Sequence, residues 1–592
     1  MTRLRTRSGS AGSRVLLLVA ALAGLLGLLA GCVSVPTSGP VERVEGQPPA
    51  CQNCLNVDVA PPSPGDEPKQ VVQGFLRATS NFQPNYAVAR QFLTTGAGEK
   101  WAPESGVSIY SGSIQAAGTT VILDGRLVGS LGPDRTYVAQ DRSWRVNFGL
   151  VKENGEWRIS TPPPGLMVAE FAFSSFYQSY NLYFVGNGSA LVPNPIYLPN
   201  LRNPASTASV LMRALLNGPS DWLAPAVTSA IPEGTALSVD AVTINDDVAQ
   251  VALSDNVLSL NDGQRTLMAA QVLNTLQPTG IQGVVFTVDQ KPYAIPGADP
   301  GTFEVSLDSR FADFDPIPAG IVDSVYTVQG TKVTVTASTS LTDPGQAIPV
   351  PGPLGAGRWQ VDSLAVSTTA SDIAVVTDDG TVLRRADVAD GTVRAVVEGA
   401  TDLLRPEFTR FGELWAVGRR DGRQRLWAER DGRVEEVDTT LLSRGRVRAF
   451  AISPDGVRMA LIREVDGRTE LGLARIVRGE RLRLDGWLPL DVTRSTTPDL
   501  SLLRDLVWSD ATRIAVLGGA SADAPLTVYR VSQDASAIAA VGEPIAWDAV
   551  SLAMLLRSQA VVVLDRTGQT WRDGSTQWVT LLKGVDAIAA PG

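Results

Sequence analysis

The chemistry open to this chain is bounded by three cysteines, an excess of carboxylates and the complete absence of histidine. Cys32 closes the tetrapeptide Leu29-Ala30-Gly31-Cys32 at the end of an apolar run, and Cys51 and Cys54 follow with two residues between them. Without histidine the chain cannot build a Ser-His-Asp or Cys-His site of its own, and it lacks the commonest general base, metal ligand and pH switch. A zinc site would need more thiolates than Cys51 and Cys54 supply, so neither a metal nor a cofactor is implied. What remains is carboxylate chemistry, a glycosidase-type acid pair or a Ca2+ loop. The Asp-Gly and Asp-Asp-Gly runs lack the alternating acids of a Ca2+ loop and read as turns. Asp141 and Glu153 read as solvated turn residues, and Asp255, after "VALS", as a strand-end turn residue. No catalytic set is recognisable.

The first cysteine is set by what precedes it. Arg3, Arg5, Arg7 and Arg14 lead into "VLLLVAALAGLLGLLA" from Val15 to Ala30. A basic head, an apolar middle and small residues before a cut form a secretory signal peptide over residues 1–31. Sixteen apolar residues are short against the ~20 that span a bilayer, which argues against a plain anchor. The order Leu-Ala-Gly-Cys resembles the lipobox of bacterial lipoproteins. That resemblance implies cleavage before Cys32 and lipidation there, as an S-diacylglycerol and N-palmitoyl cysteine. It also implies a cell-membrane, lipid-anchored protein working on the extracytoplasmic face. Two or more acyl chains hold durably where one is marginal, at ~0.8 kcal/mol per buried methylene.

Net charge is −10, and removing the four signal arginines takes it to −14. That argues against a nucleic-acid binder, which needs a basic face. Hydrophobic residues make up 44% and charged residues 19%, the balance of a globular protein with room for three or four domains. Residues 32–65 are a Pro-rich tether with no apolar period, a semi-rigid spacer of up to ~110 Å at ~3.1 Å per residue. A redox Cys-x-x-Cys pair belongs at a helix N-terminus after a buried strand. In this spacer Cys51 and Cys54 read instead as a candidate local disulfide.

Residues 66–180 read as an α+β domain. "EPKQVVQGFLRATSNF" places Val71, Val72, Phe75 and Leu76 on one helical face, and a second short helix carries Tyr86, Ala89, Phe92 and Leu93. Strands follow in "TTVILDGRLVGSL", with a turn at Asp124-Gly125, and in "SWRVNFGLVKENGEWRIST", where Trp144, Val146, Phe148 and Leu150 alternate and Asn154-Gly155 marks a hairpin. Helices followed by a curved meander ending in "NGEWRIS" resemble the NTF2-like fold.

Residues 181–300 alternate helix and strand. "SVLMRALLNGPSDWL" is a helix with Val210, Leu211, Ala214 and Leu215 inward, stopped at Asn217-Gly218-Pro219. "IPEGTALSVDAVTINDDVAQVALSD" gives a strand, a turn at 245–247 and a second strand. "NDGQRTLMAAQVLNTL" is a helix capped by Asn261 or Asp262, and "GVVFTVDQKPY" a strand ending in a turn. "LLNGPS", "IPEGT", "VALSD", "AAQVLNTL" and "FTVDQKP", in that order, resemble the GerMN domain of sporulation and envelope proteins. The resemblance implies an α/β interaction module with no established catalytic residues.

From 310 to 592 helical periods vanish. Segments 364–380, 406–422 and 451–467 align, with closing Asp-Gly pairs at Asp379, Asp421 and Asp466, and 506–519 and 545–559 continue the series. A 40–45-residue repeat of short strands is the signature of a β-propeller, one four-stranded blade per repeat. Five blades are visible. "SVYTVQGTKVTVTAS" (324–338) looks like part of a sixth, for which the C-terminal "VDAIAAPG" could supply the innermost strand. "SPDG" resembles TolB-like propellers. Arg419, Arg420, Arg423, Arg425 and Arg430, interleaved with Asp421, Glu429 and Asp431, read as a mixed, solvated blade edge.

The fold class is therefore multidomain: an α+β NTF2-like domain, an α/β GerMN domain and an all-β propeller of about six blades. Lipobox and three domains in this order resemble the actinobacterial LpqB lipoprotein family over the whole chain. The resemblance implies a non-enzymatic accessory of an MtrA–MtrB type two-component system. Its partner would be the extracytoplasmic domain of the MtrB-like sensor histidine kinase, with effects on division and envelope homeostasis. The rival is a wall glycan-binding protein or carboxylate-dependent glycan-cleaving enzyme. That rival requires two acids ~5–9.5 Å apart in a concave pocket; a partner module requires exposed apolar anchors.

Overall fold

The computed structural model describes residues 59–592 apart from 202, 308, 338–346, 495–499, 522, 544–547 and 575–576. Cys32, Cys51 and Cys54 lie outside the described residues.

The first module begins with helix α1 (Pro68–Ser80), whose N-terminus is closed by a capping box between Glu67 and Gln70. Val71, Val72 and Phe75 are fully buried on its inner face. The second expected helix shrinks to the short α2 (Ala87–Gln91), which ends at Phe92, and a further short helix, α3 (Thr95–Lys100), follows with the Thr94 side chain as its N-cap. Strands β1 (Val107–Ala117), β2 (Thr120–Leu131), β3 (Tyr137–Glu153), β4 (Glu156–Thr161) and β5 (Leu166–Ala169) form one sheet in the order β4-β3-β2-β1-β5. The expected turn at Asp124-Gly125 is absent: β2 runs straight through it, paired with β1 on one side and β3 on the other. Gly125 faces Gly112 there, and a Cβ at either position would strike the opposing backbone at 2.2–2.6 Å. The glycines permit close strand approach rather than a turn. Asp141 lies within β3, ion-paired to Arg126, not in a turn. Glu153 closes β3 and accepts from the backbone amide of Thr95 (3.2 Å).

A short helix, α4 (Glu170–Phe176), leads into the second module. Strands β6 (Tyr177–Val185) and β7 (Leu191–Pro199) form a long hairpin, and helix α5 (Pro204–Leu216) follows. Residues 228–242 are mostly irregular, so the first expected strand shrinks to β8 (Thr243–Asn245). Asp246 and Asp247 both take positive φ and turn the chain into β9 (Val248–Leu253). Helix α6 (Asp262–Leu276) is capped by Asn261 in a reciprocal pair with Gln264. Strand β10 (Gly283–Val288) returns parallel to β9, and β11 (Lys291–Pro292) ends that sheet. α5, α6 and the two sheets share one core around Leu211, Leu215, Val251, Leu273 and Phe286.

Among the described residues, the remainder forms a six-bladed propeller of six four-stranded antiparallel sheets. Blade one takes Ser324–Gln329, Lys332–Ala337 and Ile348–Pro349, and its innermost strand is the chain's end, Ala587–Ala589. Blades two to six run from Val361–Val366, Glu407–Phe408, Arg446–Ile452, Leu502–Trp508 and Ala549–Leu555 outward. Asp379, Asp421 and Asp466 stand at positive φ with their glycines between the second and third strands of blades two, three and four. A blade cannot bury both faces alone. The buried clusters accordingly fall between successive blades, one at each junction around the ring.

Candidate functional site: the propeller axis and the module junction

The innermost strands of all six blades line one narrow axial channel. Arg405, just before the first strand of blade three, crosses it. Its Nη1 donates to Asp505 Oδ2 (2.9 Å) and to the Leu552 carbonyl (2.9 Å). Its Nη2 donates to Asp505 Oδ1 (3.1 Å) and to the Leu506 carbonyl (2.9 Å). One guanidinium thus ties blade three to blades five and six in the bidentate geometry that only arginine offers. Asp505 is further satisfied by the Leu552 amide (2.8 Å) and the Ser551 hydroxyl (3.1 Å).

Glu407 lies on the other side of Arg405, its Oε1 3.6 Å from Nε. Burial in the channel pushes its carboxyl up to about 7, against the pull of Arg405 and helped by the charge of Asp505. Two acids therefore converge on the axis, yet they converge on a cation that sits between them. A glycosidase pair must flank open space for a sugar ring and a water; here the intervening position is filled by Arg405. Among the described residues no group of three or more metal-ligating side chains gathers at one place.

The arginines singled out by sequence form a mixed blade edge. Arg425 pairs with Glu436 (2.7 Å) and Arg430 with Glu435 (3.3 Å), while Arg420 covers Trp427 with its guanidinium 4.9 Å from the ring centre. Asp255 opens a short 3-10 turn after β9, as its position after "VALS" suggests.

A second constellation, unseen in sequence, joins the modules. "SPDG" forms the buried turn of blade four, with Asp455 and Arg458 both essentially inaccessible. Arg458 pairs with Asp455, donates to the Ala511 carbonyl (2.9 Å) and lies 5.1 Å from the Trp508 ring centre. Val457, on the same turn, packs into the core of the second module. From that module Trp222 donates to the Gly486 carbonyl and Tyr197 to Asp534 (2.9 Å). Arg494 of the propeller donates to the Tyr137 hydroxyl of the first module (2.7 Å). The residues that hold the modules together are thus aromatic hydroxyls, an indole and arginines that meet only in the folded chain. One signal was available for the axis: Glu407 stands where the aligned repeats carry Ala365, Ile452 and Val507, an acid at an otherwise apolar inner-strand position.

An α+β module, an α/β module and a six-bladed propeller, packed on one another and with Arg405 across the propeller axis, define a multidomain scaffold. Comparison with known proteins fits each part. Residues 61–174 match the family model described as the lipoprotein LpqB N-terminal domain, and 338–591 the lipoprotein LpqB beta-propeller domain. Residues 181–294 match a model described as sporulation and spore germination. The lipoprotein LpqB of Cutibacterium acnes is 29% identical over 593 residues, covering 95% of this chain and 97% of that protein. The lipoprotein LpqB of Streptomyces coelicolor is 29% identical over 543 residues, covering 84% and 86%. Among solved structures, TolB from Acinetobacter baumannii is similar at 15% identity and a TM-score of 0.36, covering 57% of this chain and 87% of that one. The chain belongs to the LpqB lipoprotein family. Among the described residues no helix is long and apolar enough to cross a membrane.

Proposed function

We propose that this chain is a lipid-tethered, non-enzymatic regulator that binds the outer domain of a sensor histidine kinase of the MtrA–MtrB type. It is lipidated at Cys32, works on the extracytoplasmic face and shifts the kinase between active and inactive states. The observation that carries this reading is the match to LpqB lipoproteins across all three modules, joined to Leu29-Ala30-Gly31-Cys32 at the head of the chain. The occupied axis supports binding over hydrolysis there, since Glu407 and Asp505 are both held by Arg405. A shift in the kinase requires unequal affinity for its two states, and a tenfold preference supplies ~1.4 kcal/mol, enough to move a balanced switch. Anchoring both partners in one membrane raises their effective concentration, so a micromolar affinity suffices.

The test is reconstitution of the full lipoprotein with kinase and response regulator in one vesicle. Regulator phosphorylation should change severalfold when the lipoprotein is present. Unchanged phosphorylation, together with release of soluble fragments from a wall polymer by the purified protein, would establish the enzyme reading instead.

A further inference from the structure

A cleft of about 280 Å3 opens where the three modules meet. Its apolar wall is built from Val138 of the first module, Trp222 of the second, and Leu473 and Leu488 of the propeller. Val138 is half exposed on β3. Of the 17 residues of β3, only Gly149–Glu153 pair with β4, whereas the pairing with β2 reaches back to Tyr137. Among the described residues, the edge of β3 from Val138 onward has no ladder partner opposite β2, although the Tyr197 amide of β7 reaches the Arg135 carbonyl just before it and Ala139 packs against the propeller. An unpaired edge is a template for an incoming extended chain.

Gln533 supplies the second observation. It is 5% exposed and lines the cleft. Its Oε1 accepts from Arg458, which can only donate, so the orientation of the amide is fixed. The Nε2 then has no acceptor among the described residues, and the Arg458 Nε beside it has none either. Buried donors left without partners are costly and mark a place where an acceptor belongs.

Charge decides what kind of chain this is. Asp134, Asp221 and Asp534 line the cleft. Asp134 is held by Thr136 and Asp534 by Tyr197 and Ser532, neutral donors that leave both charges in place. Of the nearby cations, Arg458 is matched by Asp455 and Arg475 by Asp485, while Arg494 is bound to the Tyr137 hydroxyl and the Ala535 carbonyl.

We propose that this junction cleft docks an extended peptide segment of a partner protein, with an apolar side chain against Trp222 and Leu488 and an adjacent Lys or Arg facing the three aspartates. A backbone carbonyl of the segment accepts from Gln533, and its backbone pairs along the start of β3. The inference does not depend on the identity of the kinase, because the cleft is probed without it.

The probes are two labelled peptides, acetyl-Thr-Val-Arg-Leu-Thr-Val-amide and its counterpart with Glu in place of Arg, titrated against the full chain by fluorescence polarisation. The Arg peptide should bind at least tenfold tighter than the Glu peptide. Asp221→Lys, a change at an exposed side chain, should erase that preference. Gln533→Met keeps volume but removes the amide donor together with the acceptor of Arg458, so its melting temperature should fall; the protein that remains folded should bind the Arg peptide about tenfold more weakly. Absence of binding by both peptides, equal binding of the two, or a preference that survives Asp221→Lys would overturn the proposal. So would concentration-dependent dimerisation of the chain that Val138→Asp abolishes, since a second copy would then be the occupant.

Discussion

Glu407 shows how far one side chain can depart from its ordinary behaviour when the fold chooses its surroundings. Its carboxyl is held near 7 instead of 4.5, first by burial and then by the neighbouring Asp505. Below about 4.5 the group is protonated in folded and unfolded chains alike, and its contribution to stability is whole. Between about 4.5 and 7 the unfolded chain ionises first, so the folded state binds more protons and stability falls as pH rises. Glu407→Gln keeps an acceptor for Arg405 and removes the titration. It should flatten the pH profile over that window and raise stability at pH 8 by ~1–3 kcal/mol, at ~1.4 kcal/mol per pKa unit. Denaturant unfolding at pH 5 and pH 8 checks it. A variant less stable than its parent at pH 8 would mean that Arg405 needs the ionised carboxylate. No local pattern marks Glu407 as titrating near neutrality. "RPEF" reads as an ordinary charged loop until the repeats are aligned, because the burial and the neighbour Asp505 come from strands a hundred residues apart.

At the scale of elements, the last strand of the chain carries more than its length suggests. Ala587–Ala589 is the innermost strand of blade one and pairs with Val328, Thr327 and Tyr326. Ile588 is buried among residues of blade six and Ala587 and Ala589 among those of blade two, so three residues close two junctions. Asp586 adds a carboxylate that accepts from the Gly330 amide (2.8 Å). Deleting residues 584–592 should cost at least ~3 kcal/mol, the worth of a buried isoleucine and its ladder bonds. That amounts to a fall of at least ~5 °C in melting temperature. A melting temperature unchanged by the deletion would show that the ring holds without its closing strand. This element was legible beforehand because "VDAIAA" is a strand left over after five complete repeats, and a propeller cannot end on an open edge.

For the whole molecule, the decisive feature lies at the head of the sequence. Cys32 as the acylated N-terminus would put modules and partner on one surface, where tethering replaces affinity. Cys32→Ala should leave the protein unacylated and shift it out of the membrane fraction, and mass spectrometry of the mature N-terminus should show the acyl mass on the parent alone. An unmodified Cys32 in the native membrane fraction would refute the anchor.

The sequence alone determined what short-range patterns encode. The apolar period of α1, a cap at Asn261 or Asp262 for α6 and the Asp-Gly turns of the repeats follow from residues a few positions apart, and the 40–45-residue repeat from their recurrence, so the main helices, the Asn154-Gly155 hairpin and a ring of about six blades were readable. Absent histidine and a −10 charge narrowed the chemistry in the same way. Tertiary structure decided everything that depends on distant segments meeting. Asp124-Gly125 looks like a turn by itself and becomes mid-strand only because Gly112 lies opposite. Two acids become a neutralised plug only because Arg405 reaches Asp505 across the channel. The junction cleft exists only where Val138, Trp222 and Gln533, nearly four hundred residues apart at the extremes, are brought to one wall. Local preference acts through a handful of bonds along the chain, whereas burial and charge act through space, and no spacing in the sequence encodes that proximity.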